Sequence, residues 1–378
     1  MTETEMADWN FAAVGDVLIN RENPRDAFFG SKDLLERFDL VFGNCEGAFT
    51  DCPHFAPSAG LRVYSAKANG MGLAEAGFNV MGLANNHILD AGYEGLADTL
   101  ELLHSQGIKT VGVGANLAEA RTPTIVERDG VKVGFLAFAS VYPTGYEARA
   151  SVPGLAAMRV HSFVASLNHQ DPGVPPEVRT IPYPEDVELL KSLIMDLRTK
   201  VDVVVVSHHW GQFRPVYLTE YERVLAHASV EAGADIVLGH HHHFLRGVEI
   251  YMGKPIYYGL GHFVFDTFGI EMTGYLRKEM GEYAIYPRDG YPLLPFHPDA
   301  RMTLVASFDF DGKVMKSFGF FPCLINQQNH AIPFLAGDQQ AQEVIDYVSK
   351  ITDEVSLKTL YGPVSEKNGF AYCRLWES

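Results

Sequence analysis

Cysteine is scarce: only Cys45, Cys52, Cys323 and Cys373 occur in 378 residues, and no two share a Cys-x-x-Cys spacing. Neither a zinc–thiolate site nor a disulfide framework is expected, and a cytoplasmic setting is. Long apolar runs are missing as well. The valine run 203–206 is far shorter than the ~20 residues that span a bilayer as a helix. The acidic start, Met1-Thr-Glu-Thr-Glu-Met-Ala-Asp, lacks the apolar core of a signal peptide. Positive charge is in deficit, with 30 Lys and Arg against 47 Asp and Glu and a net charge of -17. Phosphate backbones and anionic membranes need basic surface, so neither nucleic acid nor membrane is an expected partner. Internal repeats and low-complexity linkers are absent.

What is present is ordinary globular composition, 47% hydrophobic and 20% charged, enough for a sizeable core. From Phe11 to Val237, β-branched runs alternate with amphipathic stretches. Strands are predicted at 11–15, 40–43, 79–83, 109–113, 201–206 and 235–238, and helices at 31–37, 66–76, 93–106, 117–120, 185–200 and 220–232. Gly70 and Gly72 weaken the second of these helices. Asp129-Gly130 and Asp311-Gly312 mark hairpins within 124–138 and 301–321, and a terminal helix is expected over 339–352. The pattern predicts an α/β fold, a layered mixed-sheet sandwich flanked by helices. Residues 1–378 read as one domain with a core of about 11–325 and a C-terminal helical extension at 338–378. Two excursions, at about 142–184 and 266–300, are expected to border the active face.

Five polar clusters each follow a predicted strand: Gly15-Asp16, Gly43-Asn44-Cys45-Glu46, Asn85-Asn86-His87, Ser207-His208-His209 and Gly239-His240-His241-His242-His243. Singly, each has an ordinary explanation as a turn cap, a solvated loop charge or a core imidazole. Together they read as one site, because ligands bind in α/β sheets at strand carboxyl ends. Carboxylate, carboxamide and imidazole form a donor set suited to Mn, Fe or Zn.

These clusters resemble the motifs of the CapA family, the poly-γ-glutamate capsule-biosynthesis proteins, which are related to the calcineurin-like metallophosphoesterases. The resemblance rests on Leu83-Ala-Asn-Asn-His-Ile-Leu-Asp-Ala-Gly, on Ala232-Gly-Ala-Asp-Ile-Val-Leu-Gly-His-His-His-His-Phe, and on Lys254-Pro-Ile-Tyr-Tyr-Gly-Leu-Gly-His-Phe-Val-Phe. It covers about residues 11–325. It implies a metallophosphoesterase-like fold holding one or two divalent metal ions, or none. The metal ligands it implies are Asp16, Glu46 (as a bridge), Asn86, His209, His241 and His243, with His87 as a proton donor. His241 and His243, at i and i+2, would share one face of an extended backbone, leaving His208, His240 and His242 to structural roles. Leu18 stands where those relatives carry a histidine, Phe213 where an acidic residue is common, His242 for a proline and His262 for an asparagine.

For substrate, Arg62 is a candidate carboxylate or phosphate clamp, with Phe213 and His262 beside it. The aromatic segment 265–296 is a candidate lid, and His297 just beyond it a further acid or base. Three readings follow. The first is a metal-dependent hydrolase of a peptide-like, carboxylate-bearing amide or a phosphoester. The second is an acid/base proton-transfer enzyme with one metal or none, such as a peptide epimerase, in which Asp16 and Glu46 are catalytic alongside His87. The third is a non-catalytic polymer-assembly subunit. Substrate identity and oligomeric state are not readable from the sequence.

Overall fold

Strand Asp8–Leu18 is buried along nearly its whole length, as a central strand covered on both faces must be. In the computed structural model it pairs in parallel with Leu40–Cys45 and antiparallel with Met302–Asp311. The structure describes residues 8–377 except 167, 169, 171, 172, 175, 214, 215, 267–289, 292 and 294–297. Around the central strand grows one mixed sheet, in the order Thr359–Tyr361, Phe370–Glu377, Val314–Ile325, Met302–Asp311, Asp8–Leu18, Leu40–Cys45, Val80–Gly82, Lys109–Val111. His262–Phe265 joins it in parallel beside Asp16–Leu18. The second sheet runs Val248–Tyr251, Lys254–Tyr257, Ile236–His240, Val203–His209, Val131–Ala139, Thr124–Arg128. Its inner four strands are parallel and its edges antiparallel.

The two sheets pack face to face through aromatics. Phe135 of the second sheet stacks on Phe42 of the first, with centroids 5.7 Å apart and planes at 2°, and meets Phe11 edge-on at 5.8 Å. Phe135→Ala should therefore cost about 3–5 kcal/mol, read as a lower urea midpoint at unchanged m-value. Helices cover the outside. In Gly92–Ser105 the buried residues are Gly95, Leu96, Thr99 and Leu103, the i, i+4, i+8 stripe of one helical face. Glu220–Glu231 starts with a capping box from Thr219 and Glu222. This is the layered mixed-sheet α/β sandwich that the sequence leads one to expect.

Two local expectations are corrected. The segment 66–76 is not one helix but a 3-10 turn, Lys67–Gly70, followed by Met71–Glu75, as its two glycines suggest. The C-terminal region is not a helical extension: after the helix Gln340–Glu354 come Thr359–Tyr361, Ser365–Lys367 and Phe370–Glu377. Phe370–Glu377 pairs with Val314–Ile325, so the chain end completes the main sheet. The first excursion contains an antiparallel hairpin, Val160–Ala165 with Glu177–Pro182, whose outward residues are mostly exposed. Most of the second excursion, and with it most of the candidate lid 265–296, lies outside the described residues.

Gly15 sets the spacing of the site. A Cβ there would lie 1.9 Å from the carbonyl oxygen of Gly261, and Asp16 N donates to that same oxygen at 3.0 Å. Gly15→Ala is expected to push the strands apart at Asp16 and lower the melting temperature by several degrees, in line with the 1–3 kcal/mol typical of overpacking.

Candidate metal centre

Parallel strands of both sheets end at one place. Asp16 lies near the end of Asp8–Leu18, Glu46 directly follows Leu40–Cys45, and residues 85–87 follow Val80–Gly82. From the facing sheet, His209 closes Val203–His209 and the run 241–243 leaves Ile236–His240. His262 opens its strand opposite Asp16. Asp16, Glu46, Asn86, His87, His209, His241, His243 and His262 are thus brought together.

Glu46 is the centre of the arrangement. It belongs to two groups of donors whose atoms all lie within 4.8 Å of one another: Glu46, His209 and His241, and Asp16, Glu46 and His243. Glu46 Oε1 lies 3.7 Å from His209 Nε2 and 3.6 Å from His243 Nε2. His243 Nδ1 is 3.4 Å from Asp16 Oδ2. Asn86 Oδ1 sits 2.6 Å from His209 Nε2. Donors around one cation with metal–N and metal–O bonds of about 2.0–2.2 Å are themselves about 3 Å apart, so these separations suit ligation. Asp16 Oδ2, both Glu46 oxygens and His241 Nδ1 are buried without a hydrogen-bonding partner. The three carboxylate oxygens are orphaned acceptors in one buried cluster, which is costly unless a cation satisfies them.

The electrostatics agree. Burial, and then the charge of Asp16, pushes Glu46 well above the usual carboxyl range. Burial pushes Asp16 up too, but the imidazoles of His240 and His243 outweigh it and hold Asp16 well below that range. Two like charges this close resist ionising together, and a divalent cation between them removes the conflict. Burial also lowers His209 and His241 well below the ordinary imidazole value, keeping them in the neutral form that binds metal.

The expected extended backbone at 241–243 is not found. His241 has φ +97° and His243 +56°, in the left-handed region that non-glycine residues avoid. Two such residues in one histidine run are the strain that accumulates at functional sites. With this backbone His241 falls in the donor group with Glu46 and His209, and His243 in the one with Glu46 and Asp16. His240 is closer to the centre than expected, its Nδ1 3.5 Å from Asp16 Oδ1. His242 Nε2 instead reaches Glu222 Oε1 at 3.0 Å, so the helix-capping glutamate also fixes the histidine loop. His208 stacks flat on Trp210, with centroids 4.5 Å apart, and meets Ser229 Oγ at 3.2 Å.

Burial, with a smaller contribution from His240, lowers His208 from 6.5 to about 3. The unfolded chain takes up a proton near pH 6.5 that the folded chain refuses, so His208 stabilises the fold above that pH. The stability is lost as pH falls from about 6.5 towards 3, by about 1.4 kcal/mol per unit for this one group. His208→Asn should flatten that slope by one proton's worth in chemical denaturation series run from pH 7 to 5.

His87 is turned differently from the other imidazoles. Its Nδ1–H donates to Asp90 Oδ2 at 2.7 Å, and its Nε2 accepts from Asn86 Nδ2 at 3.0 Å, pointing inward 4.0 Å from Glu46 Oε1. Asp90 also accepts from Tyr146 Oη at 2.7 Å and from the backbone N–H of Val63 at 2.8 Å. Asp90 and Tyr146 were not singled out in the sequence, although Asp90 at i+3 from His87 was a readable signal. Tyr146, from the first excursion, was not. Asn44 and Asn85, members of the clusters with no role assigned from sequence, support the ligands: Asn44 donates to Asp16 Oδ1 at 2.8 Å, and Asn85 to the carbonyl of Cys45 at 2.7 Å. Asp90→Asn should keep the metal and lower turnover by about 10- to 100-fold, the usual cost of losing an orienting carboxylate.

The substrate candidates divide. The Phe213 ring lies 5.7 Å from that of His243 and His262 Nδ1 is 3.2 Å from His243 Nδ1, so both border the centre. Arg62 is exposed and lies over Phe55, 4.3 Å from its ring centroid. His297 lies outside the described residues. No helix among the described residues is long and apolar enough to cross a membrane.

Residues 10–267 match the family described as bacterial capsule synthesis protein PGA_cap. The PGA biosynthesis protein CapA of Bacillus subtilis (strain 168) is 30% identical over 263 residues, which cover 67% of this chain and 62% of that protein. An uncharacterized protein, y4sH, of Sinorhizobium fredii is 27% identical and covers 93% of this chain and 91% of its own. A probable polyglutamine synthesis accessory protein of Mycobacterium tuberculosis (strain CDC 1551 / Oshkosh) is 36% identical over 208 residues, 53% of this chain and 49% of that protein. The chain thus spans less than two thirds of the length of the Bacillus subtilis relative.

Proposed function

Because this chain belongs to the PGA_cap family of bacterial capsule synthesis proteins, we propose that it is a metal-dependent hydrolase of a peptide-like, carboxylate-bearing amide. The observation that carries this reading is Glu46 shared between two donor groups. Asp16 and His243 would hold one divalent ion, and Asn86, His209 and His241 the other, with Glu46 common to both. Such ions supply a nucleophilic hydroxide at neutral pH and polarise the scissile carbonyl.

The chain's own residues do the rest. Asn44 holds the Asp16 carboxylate in place. Asp90 accepts from His87 Nδ1–H and supports the imidazolium form, in which Nε2, 4.0 Å from Glu46 Oε1, would carry the proton given to the leaving amine in place of its contact with Asn86. Tyr146 and the Val63 N–H hold Asp90. Phe213, half-buried beside His243, keeps one side of the pocket apolar. The names of the curated relatives, a PGA biosynthesis protein and a probable polyglutamine synthesis accessory protein, favour an amide polymer over a phosphoester as substrate.

The test is elemental analysis of purified protein, followed by incubation with a γ-linked glutamate oligomer. New amine ends, formed in a chelator-sensitive manner, are the expected result. Metal-free protein, or release that a chelator leaves intact, overturns the reading. Deuterium entering the substrate Cα in heavy water without chain cleavage would replace it with proton transfer.

A further inference from the structure

A cavity of about 420 Å³ lies between the loop 54–58, the start of the helix Gly92–Ser105 and residues 144–149. Phe55, Leu89, Tyr93 and Tyr146 give it apolar and aromatic surface, and Arg149 stands on its wall. Arg62 is not on the wall itself but lies over the ring of Phe55, which is. Neither arginine has a carboxylate partner among the described residues. The one carboxylate lining the groove, Glu94, already faces His54 Nδ1 at 3.9 Å. The Arg149 backbone is pinned on both sides, donating to and accepting from Val152 and accepting from Leu117.

The groove is joined to the metal centre. Tyr146 lines it, and the Tyr146 hydroxyl reaches His87 through Asp90 in two hydrogen bonds of 2.7 Å each. A ligand here lies one layer of side chains from the proton donor. Its chemistry follows from the lining. A chain carrying net charge -17 repels a polyanion, so an acidic ligand is held only where cations are left unpaired. A guanidinium grips a carboxylate through paired N–H bonds, and methylene stems cover aromatic surface that a bare inorganic anion leaves wet.

We infer that this groove binds a segment of an acidic peptide, with its carboxylates on Arg149 and Arg62 and its methylenes against Phe55 and Tyr146. The inference rests on the hydrolase reading for why such a chain should approach, but not for the binding itself. The experiment is isothermal titration of the full-length protein, with and without chelator, against a γ-linked glutamate pentamer and its side-chain-amidated counterpart. The acidic pentamer should bind at least 10-fold more tightly than the amidated one, in the presence or absence of metal. The double variant Arg62→Ala/Arg149→Ala should lose most of that preference and most of its salt dependence. Thr144→Glu adds a carboxylate to the wall with both arginines intact, and it should also weaken the acidic pentamer alone. Equal binding of the two pentamers by the wild type, or wild-type binding by both variants, overturns the inference. Arginine-dependent binding without cleavage keeps the groove and removes the hydrolase. Cleavage whose KM ignores both arginines does the opposite.

Discussion

Glu46→Leu is expected to empty both metal positions at once. The carboxylate is common to both donor groups, and loss of a ligand or its support typically costs 10- to 100-fold in affinity at each position. His243→Ala should instead spare the side formed by His209 and His241, so wild type, His243→Ala and Glu46→Leu should hold two, one and no equivalents by elemental analysis. Thermal melts give a second, opposite signature. In metal-free protein Glu46 is a buried carboxyl with two unpartnered oxygens, raised by burial and by Asp16. Replacing it with an apolar side chain of similar bulk should raise stability by about 1–3 kcal/mol. With metal at 100 times its Kd the wild type should gain about 2.7 kcal/mol per site, and the variant nothing. A Glu46→Leu protein that still takes up two equivalents would show that the bridge is elsewhere. Burial and Asp16 oppose ionisation of Glu46 and metal binding requires it, so wild-type affinity should rise with pH.

His87→Ala is expected to lower turnover by ~100- to 10,000-fold, the range for a lost general acid, while leaving metal content and melting temperature close to wild type. Its Nε2 is 4.0 Å from Glu46 Oε1 and is occupied by Asn86, and its Nδ1 is committed to Asp90. Neither nitrogen belongs to a donor group. His209→Ala and His241→Ala should lose metal and activity together, because each removes a member of the same group. The contrast decides the roles, since loss of activity alone would fit almost any mechanism. Metal loss in His87→Ala equal to that in His241→Ala would make His87 a ligand. Variants that hold no metal, in a wild type that also holds none, would move the chemistry to proton transfer.

The sequence by itself determined the alternation of strands and helices, and therefore the strand ends at which Asp16, Glu46, His87 and His209 had to appear. Apolar period and turn residues are local properties, so Asp129-Gly130 and the stripe of Gly92–Ser105 were readable without a partner. The donor types were readable too, because each stands directly after an apolar run. Only the tertiary structure decided how they are shared. That Glu46 lies between His209 and His243 depends on two sheets being packed through Phe42 and Phe135, residues 93 positions apart. The left-handed turns at His241 and His243 defeated the extended-strand argument, since strain held by surrounding packing leaves no mark in a run of identical residues. Arg62 was legible as a cation, but its place over the Phe55 ring was not. Tyr146 was invisible as a support for Asp90, because a hydrogen bond across 56 positions has no local signature. The chain end was taken for a helical extension because the strand Phe370–Glu377 gains its stability from Val314–Ile325, a neighbour that only folding supplies.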